Sequence, residues 1–147
     1  MEVGMSASDL AKLFGNELKT AAGILAVVPA ERIFEASSLD QIDVTDGVAL
    51  SFRFLGSVPN IKQDRLPAAE TVDAQVWSYG RPGSYTPLLA ALSSVVAHLL
   101  ALPYRSQGTA RLWQIDFQGF GPDLYDPTFS ANTKYASFRL VGSGFTL

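Results

Sequence analysis

Hydrophobic and polar positions follow two periods along the chain, and the change of period marks out the elements. From Ser6 or Ser8, either a helix-capping residue type, Leu10, Phe14 and Leu18 recur four apart with Leu13 beside them. That spacing predicts an amphipathic helix with one core-facing stripe. Gly23 and Pro29 bracket its end, and Ile33 and Phe34 predict a short extended piece. Val48, Leu50, Phe52 and Phe54 then alternate with Ala49, Ser51 and Arg53, a period of two that predicts a strand with one apolar face. Val72, Ala74 and Val76 alternate in the same way with Asp73, Gln75 and Trp77.

After Gly80, Pro82 and Gly83, the helical period returns at Leu88, Leu92, Val95 or Val96, and Leu99 and stops before Pro103. Ser84 or Thr86 is the expected cap, and Pro87 suits a first turn. Two strands close the chain. Over 111–120, Trp113, Ile115 and Phe117 are expected on one face, with Leu112, Gln114, Asp116 and Gln118 on the other. Over 134–141, Ala136, Phe138 and Leu140 alternate with Tyr135, Ser137 and Arg139. Three polar connections stand out: an acidic one at 36–47, a second at 56–67, and a thirteen-residue loop at 121–133 that carries Leu124, Tyr125 and Phe129. Loops of that length are usually functional.

The order α-β-β-α-β-β predicts an α+β fold. It is an antiparallel or mixed sheet of about four to five strands with two helices packed on one face. With no internal repeat and no Gly/Ser linker, residues 1–147 read as a single domain. Each strand has one apolar side, yet Trp77, Tyr79, Leu112 and Tyr135 fall on the side expected to be wet.

Composition sharpens this picture. Charged residues make up only 17% of the 147, below the soluble average of about 25%, so part of the surface is expected to lie against a partner. The net charge of −3 argues against a dedicated nucleic-acid binder. Residues 1–74 carry six basic and eleven acidic side chains and residues 75–147 five basic and three acidic. Ordinary scatter and faces of opposite sign both fit that division. The absence of cysteine removes disulfides, thiolate metal sites and cysteine catalysis, and a single histidine, His98, removes a His-rich metal site. The N-terminus has no secretory pattern, and the apolar run Leu88–Leu102 is short of a membrane span. A soluble, intracellularly made protein with no membrane contact is expected.

Chemistry is sparse. His98 lies in the second helix among apolar residues and reads as a structural histidine; no G-x-S-x-G pattern accompanies it. Asp123 and Asp126, and Asp40, Asp43 and Asp46, are spaced by three but lack the dense oxygen set of a calcium loop. The glycines at 80–83 and 119–121 fit no phosphate-binding pattern. The aromatics Trp113, Phe117, Phe120 and Tyr125 have only Arg111 near them, which favours core and protein interface over stacking of single strands. No catalytic residue, cofactor or metal is therefore assigned, and the expectation is a protein that is not an enzyme. A small-ligand or peptide-binding module using the groove between sheet and helices, and a hydrolase relying on Asp123 and Asp126, remain competing readings.

The arrangement as a whole resembles the tail terminator, or tail-completion, proteins of long-tailed bacteriophages. The likeness runs through the helix end AAGILAVVPAERIFEA, the strand TVDAQVWSYG, the helix YTPLLAALSSVVAHLLAL and the closing pair RLWQIDFQGFGPDLYDPTFSANTKYASFRLVG. These are patterns of order and spacing rather than catalytic signatures. The loop after Leu55 and the long final turn depart from that family and also suit a neighbouring neck or head-completion (stopper or adaptor) protein of the same virion.

What the resemblance implies is a structural virion protein without turnover, at the tail–neck junction, assembled in the host cytoplasm. Six copies would close a ring on the tail tube, touching the major tail tube protein on one side and the head-completion or connector protein on the other. DNA would only pass through the lumen. Apolar residues in polar loops, Val58, Ile61, Leu124, Tyr125 and Phe129, are the candidate subunit or partner contacts. Asp40, Asp43 and Asp46 are the candidate lumen-facing acidic loop.

Overall fold

In the computed structural model, residues 8–35, 44–45, 47–59 and 69–145 are described, with 56–59 as backbone alone. Helix α1 spans Asp9–Thr20. Ser8 caps it by accepting a hydrogen bond from the Ala11 amide at 3.1 Å, and Asp9 sits in the first turn and Lys19 in the last, each favourable to the helix dipole. Leu10, Phe14 and Leu18 are fully buried, each worth roughly 1.5–3 kcal/mol of apolar burial. A one-turn helix α2 (Ala22–Leu25) and a 3-10 turn at Ala30–Arg32 lead into β1 (Ile33–Glu35). Strands β2 (Ala49–Pro59) and β3 (Glu70–Gly80) follow, then α3 (Thr86–Leu100) and β4 (Arg105–Gln107). The chain closes with β5 (Ala110–Phe120), β6 (Leu124–Asp126) and β7 (Ala131–Ser143).

Seven strands form one sheet in the order β1-β2-β3-β7-β5-β4, with β6 also on β7. All neighbours are antiparallel except β1, which runs parallel to β2. The sheet is therefore larger than the four to five strands expected from periodicity. The long strands are the four that alternation identified, while β1, β4 and β6 have three residues each, too few to show a period.

Three sequence expectations are corrected. The thirteen-residue loop is an extended ribbon: β6 continues the line of β5 along β7, and only Pro127–Ser130 turns. The Gly121 amide bridges the gap by donating to the Tyr135 carbonyl at 2.7 Å. The second correction lies in β5. Register shifts at Leu112/Gln114 and Phe117/Gly119 insert an extra residue each time. The strict alternation fails, so Leu112 joins Ile115 and Phe117 in the core and Trp113 is thrown outward, 47% exposed. Likewise β2 runs on to Pro59 through an irregularity between Phe54 and Ser57, shortening the expected second loop.

The main core lies between one face of the sheet and the helices α1 and α3. Leu50, Phe52, Val72, Ala74, Val76, Ala136, Phe138 and Leu140 meet the stripes Leu10–Phe14–Leu18 and Leu92–Val95–Leu99. A smaller cluster on the opposite face packs Val44, Ala49, Tyr79 and Ala131 with Phe34, Trp77 and Phe129. Among the described residues, no helix is long and apolar enough to cross a membrane.

Candidate functional site: an apolar margin on β5, β6 and α3

Strand β4 covers β5 only at Ala110–Leu112. From Trp113 to Phe120, no described strand pairs with the outer side of β5. An unpaired edge offers a row of backbone N–H and C=O groups to any strand that approaches. Along this margin stand Trp113, Phe120, Leu124 and Tyr125, all exposed. Phe117, half-buried, packs edge-on to Phe120 with ring centroids 5.0 Å apart.

The tip of the margin is held firmly. The Tyr85 hydroxyl donates to the Leu124 carbonyl at 2.5 Å, and Asn132 Nδ2 donates to the Gly83 carbonyl at 3.0 Å. Lys134 Nζ donates to the Gly121 carbonyl at 2.9 Å and pairs with Asp123 Oδ1 at 2.8 Å. The turn closes through Asp126, whose Oδ1 accepts from the Thr128 amide at 2.8 Å, with Ser130 at φ +49°. Leu124 and Tyr125 thus project from a tied ribbon, so a partner meeting them pays little ordering entropy.

Helix α3 is also apolar on its exposed side. His98 is its one ionisable residue, and its exposed positions are Thr86, Pro87, Leu89, Ala90, Ser93, Ala97 and Leu100. A solvent-facing helix normally carries charge on its polar side. Beyond the helix end, Tyr104 is exposed as well.

On the opposite sheet face, beside the smaller apolar cluster, polar side chains bond one another. Trp77 stacks on Tyr135 at 4.6 Å, and the Arg53 guanidinium lies 5.5 Å from the Trp77 ring. Gln75 Oε1 accepts from Arg53 Nε at 3.1 Å, Arg53 Nη2 at 3.0 Å and Trp77 Nε1 at 3.0 Å. Arg139 Nε pairs with Asp73 Oδ1 at 3.1 Å. These contacts account for Trp77 and Tyr135 on a face expected to be wet. Burial pushes the Tyr79 hydroxyl above the usual phenol range, despite a hydrogen bond with Ser51.

The candidate hydrolytic carboxylates do not converge. Asp123 is paired with Lys134 and lines a cleft with Tyr85 and Leu89, whereas Asp126 lines a separate groove with Ser51, Arg53 and Tyr79. A cleft of about 580 Å³ is not the expected sheet–helix groove, which is filled by core. It opens beside the start of α3, between Thr45, Val48, Arg81 and Leu88, and Arg81 donates across it to the Thr45 carbonyl. Among the described residues, no three His, Cys, Asp or Glu side chains gather as metal ligands.

Of the sequence-chosen contacts, Leu124 and Tyr125 stand exposed together. Phe129 turns inward, edge-on to Tyr79 at 5.9 Å. Val58 belongs to β2, opposite Thr71, with its side chain not described. Ile61, Asp40, Asp43 and Asp46 lie outside the described residues. Trp113 and Phe120 were read from the sequence as aromatics of core and protein interface, whereas Leu89 and Leu100 were not singled out. The uncharged run of α3 was the available signal for Leu89 and Leu100; the bulge that exposes Trp113 leaves no mark in the periodicity.

A chain solved in the virion of a native gene transfer agent particle has a similar fold. The TM-score is 0.68, and the match covers 89% of this chain and 92% of that one at 15% identity. At that identity the likeness is one of fold. No protein-family profile and no curated protein matches the sequence.

Proposed function

We propose that the chain is a structural virion protein. Copies of it close a hexameric ring that caps the tail tube of a phage-like particle, ends tube growth and receives the head connector. Its partners are sister copies, the tube protein and the connector; DNA passes through the bore, and no bond is made or broken. The observation that carries this reading is the pinned apolar margin, Trp113, Phe120, Leu124 and Tyr125, beside an α3 face whose exposed side chains carry no charge other than that of His98. Contiguous exposed apolar surface rimmed by polar groups marks protein interfaces. The shared fold with a virion chain supports the same reading.

The test is native mass spectrometry and electron microscopy of the purified protein, alone and with polymerising tail tube subunits. The expected result is six-membered rings and tubes stopped at a ring-capped end. A protein that stays monomeric in both settings and leaves tube growth unchanged overturns the proposal.

A further inference from the structure

The face of the sheet away from α1 and α3 carries a groove of about 220 Å³, lined by Ser51, Arg53, Trp77, Tyr79, Asp126 and Thr133. Strand register gives its direction. Arg53 is level with Gln75 and Ser137, Ser51 with Trp77 and Tyr135, and Tyr79 with Thr133. Asp126 is level with Ala131, two residues further along β7. Alternation puts Ala131, Thr133, Tyr135 and Ser137 on one face of β7. The groove therefore runs along the strands, with Arg53 at one end and Asp126 at the other, over about 20 Å of backbone.

Both charges bear on its middle. Arg53 leans inward, its guanidinium 5.5 Å from the Trp77 ring. Burial is the chief cause of the raised pKa of the Tyr79 hydroxyl; Asp126 adds to it and Arg53 opposes it, so the hydroxyl lies within the field of both.

The lining leaves three polar groups unanswered among the described residues. Thr133 is only 3% exposed, yet its hydroxyl has no hydrogen-bond partner. Asp126 is half-buried and pairs with no cation; Oδ1 accepts from the Thr128 amide at 2.8 Å, and the other oxygen is unpartnered. Arg53 donates from Nε and Nη2 to Gln75 Oε1, pairs with no carboxylate, and leaves Nη1 unpartnered. Folded proteins keep few such groups without a partner, and a cluster of them around one groove points to an occupant.

Size and charge together narrow the occupant. Pockets for drug-sized ligands run to about 300–1,000 Å³, so this one takes something smaller. A single ionic head would satisfy one end and face a like charge at the other. A small molecule with an ammonium group and a carboxylate satisfies both, through charge-assisted hydrogen bonds. We infer that the groove binds a small zwitterion of the amino-acid class, its ammonium group on Asp126 and Thr133 and its carboxylate on Arg53. The hydroxyls of Ser51 and Tyr79, bonded to each other, line the floor between. This site is separate from the apolar margin and does not depend on self-assembly.

The probes are the straight-chain ω-amino acids from glycine to aminohexanoate, in which the two charges stand progressively further apart. Each is titrated into the native chain and followed by saturation-transfer NMR. One length, or two adjacent lengths, is expected to bind best, at least tenfold tighter than butylammonium, butyrate or glycerol. Asp126→Asn keeps an oxygen for the Thr128 amide and removes the charge; Arg53→Gln removes the other charge. Each should weaken the best probe at least tenfold, as loss of a charged hydrogen bond does, while circular dichroism stays native. Thr133→Val, which keeps the side-chain shape, should weaken it severalfold. If no probe binds saturably, the inference fails. It fails equally if butylammonium or butyrate binds as tightly as the best zwitterion, or if either charge can be removed without effect, since the groove would then take a single ion.

Discussion

Glu17 Oε1 lies 3.0 Å from His98 Nε2, and its other oxygen accepts from Arg105 Nε at 3.0 Å. One carboxylate, with its side chain only 13% exposed, thereby ties α1 to α3 and to the start of β4. The contact also explains why a histidine sits in an otherwise apolar helix. Glu17→Ala is expected to cost about 1–3 kcal/mol, because it leaves a half-buried ring and a guanidinium without their shared partner. Urea denaturation of the variant and the native chain measures this. An unchanged midpoint would mean that the three groups contribute no net stability.

Asp9 reaches from the first turn of α1 to the turn between β4 and β5. Its Oδ2 accepts from the Thr109 amide at 2.8 Å and from the Thr109 hydroxyl at 3.1 Å. These bonds, the backbone one first, hold the carboxyl below its ordinary value of 3.8. A lowered folded pKa stabilises the folded state above the unfolded value, and that stabilisation is lost as pH falls through the folded value. The melting temperatures of native protein and Asp9→Ala should therefore differ by a constant amount at neutral pH. They should converge as pH drops below about 3.8. A difference that persists undiminished into strong acid would sink this account.

Tyr125 and Phe129 separate exposed margin from core within five residues. Tyr125 is exposed on the margin, and Phe129 is packed on Tyr79. Tyr125→Ala is expected to leave stability within about 0.5 kcal/mol and to abolish or sharply reduce ring formation. Phe129→Ala should instead lower stability by roughly 1–3 kcal/mol, as loss of a partly buried aromatic does. Thermal melts paired with native mass spectra of each variant distinguish the two patterns.

Much of this was written in the spacing of side chains. The stripes of α1 and α3 and the alternation of β2, β3 and β7 follow from one-sided burial, which leaves a period in the sequence. The sheet edges left none. Three-residue strands such as β1 and β4 are fixed by partners distant in the chain, at Leu50–Phe52 and Ala110–Leu112. In β5, the bulge at Trp113 breaks the strict alternation, and the second bulge between Phe117 and Gly119 breaks it again. The ribbon at β6 reads as a loop because Gly121, Pro122 and Pro127 are turn formers, yet the register with β7 and the Lys134 contacts hold it extended. Leu124 and Tyr125 were nonetheless legible as apolar residues in polar surroundings, whereas Phe129, of the same kind, found a partner in its own chain.

Gly142 illustrates a close approach that only the fold reveals. A Cβ added there would fall on the Arg111 carbonyl and against the Phe145 ring. Neither neighbour is a flexible side-chain end, so Gly142→Ala is expected to cost roughly 1–3 kcal/mol and to disturb the β5–β7 ladder beside the Trp113 bulge. Gly23, in α2, has open space around it. Gly23→Ala should be neutral or stabilising by up to about 1 kcal/mol, since alanine narrows the unfolded ensemble and favours helix. Chemical denaturation of both variants tests the contrast, and equal effects would remove the steric argument.

Trp113 offers a readout of assembly in the native backbone. It is one of two tryptophans; the other, Trp77, is stacked on Tyr135 and bonded to Gln75 on the opposite face. In Trp77→Phe, emission comes from Trp113 alone. Its side chain is thrown from the β5 bulge to the margin and half exposed, so the monomer should emit at long wavelength and be readily quenched by acrylamide. Assembly through that margin would remove the indole from water. The expected outcome is a blue shift and a severalfold fall in quenching that track ring formation across a dilution series. Because replacing Trp77 deletes a surface stack and one hydrogen bond, ring formation by the variant is checked first by native mass. Rings whose Trp113 stays as wet as in the monomer would place the subunit contact away from β5.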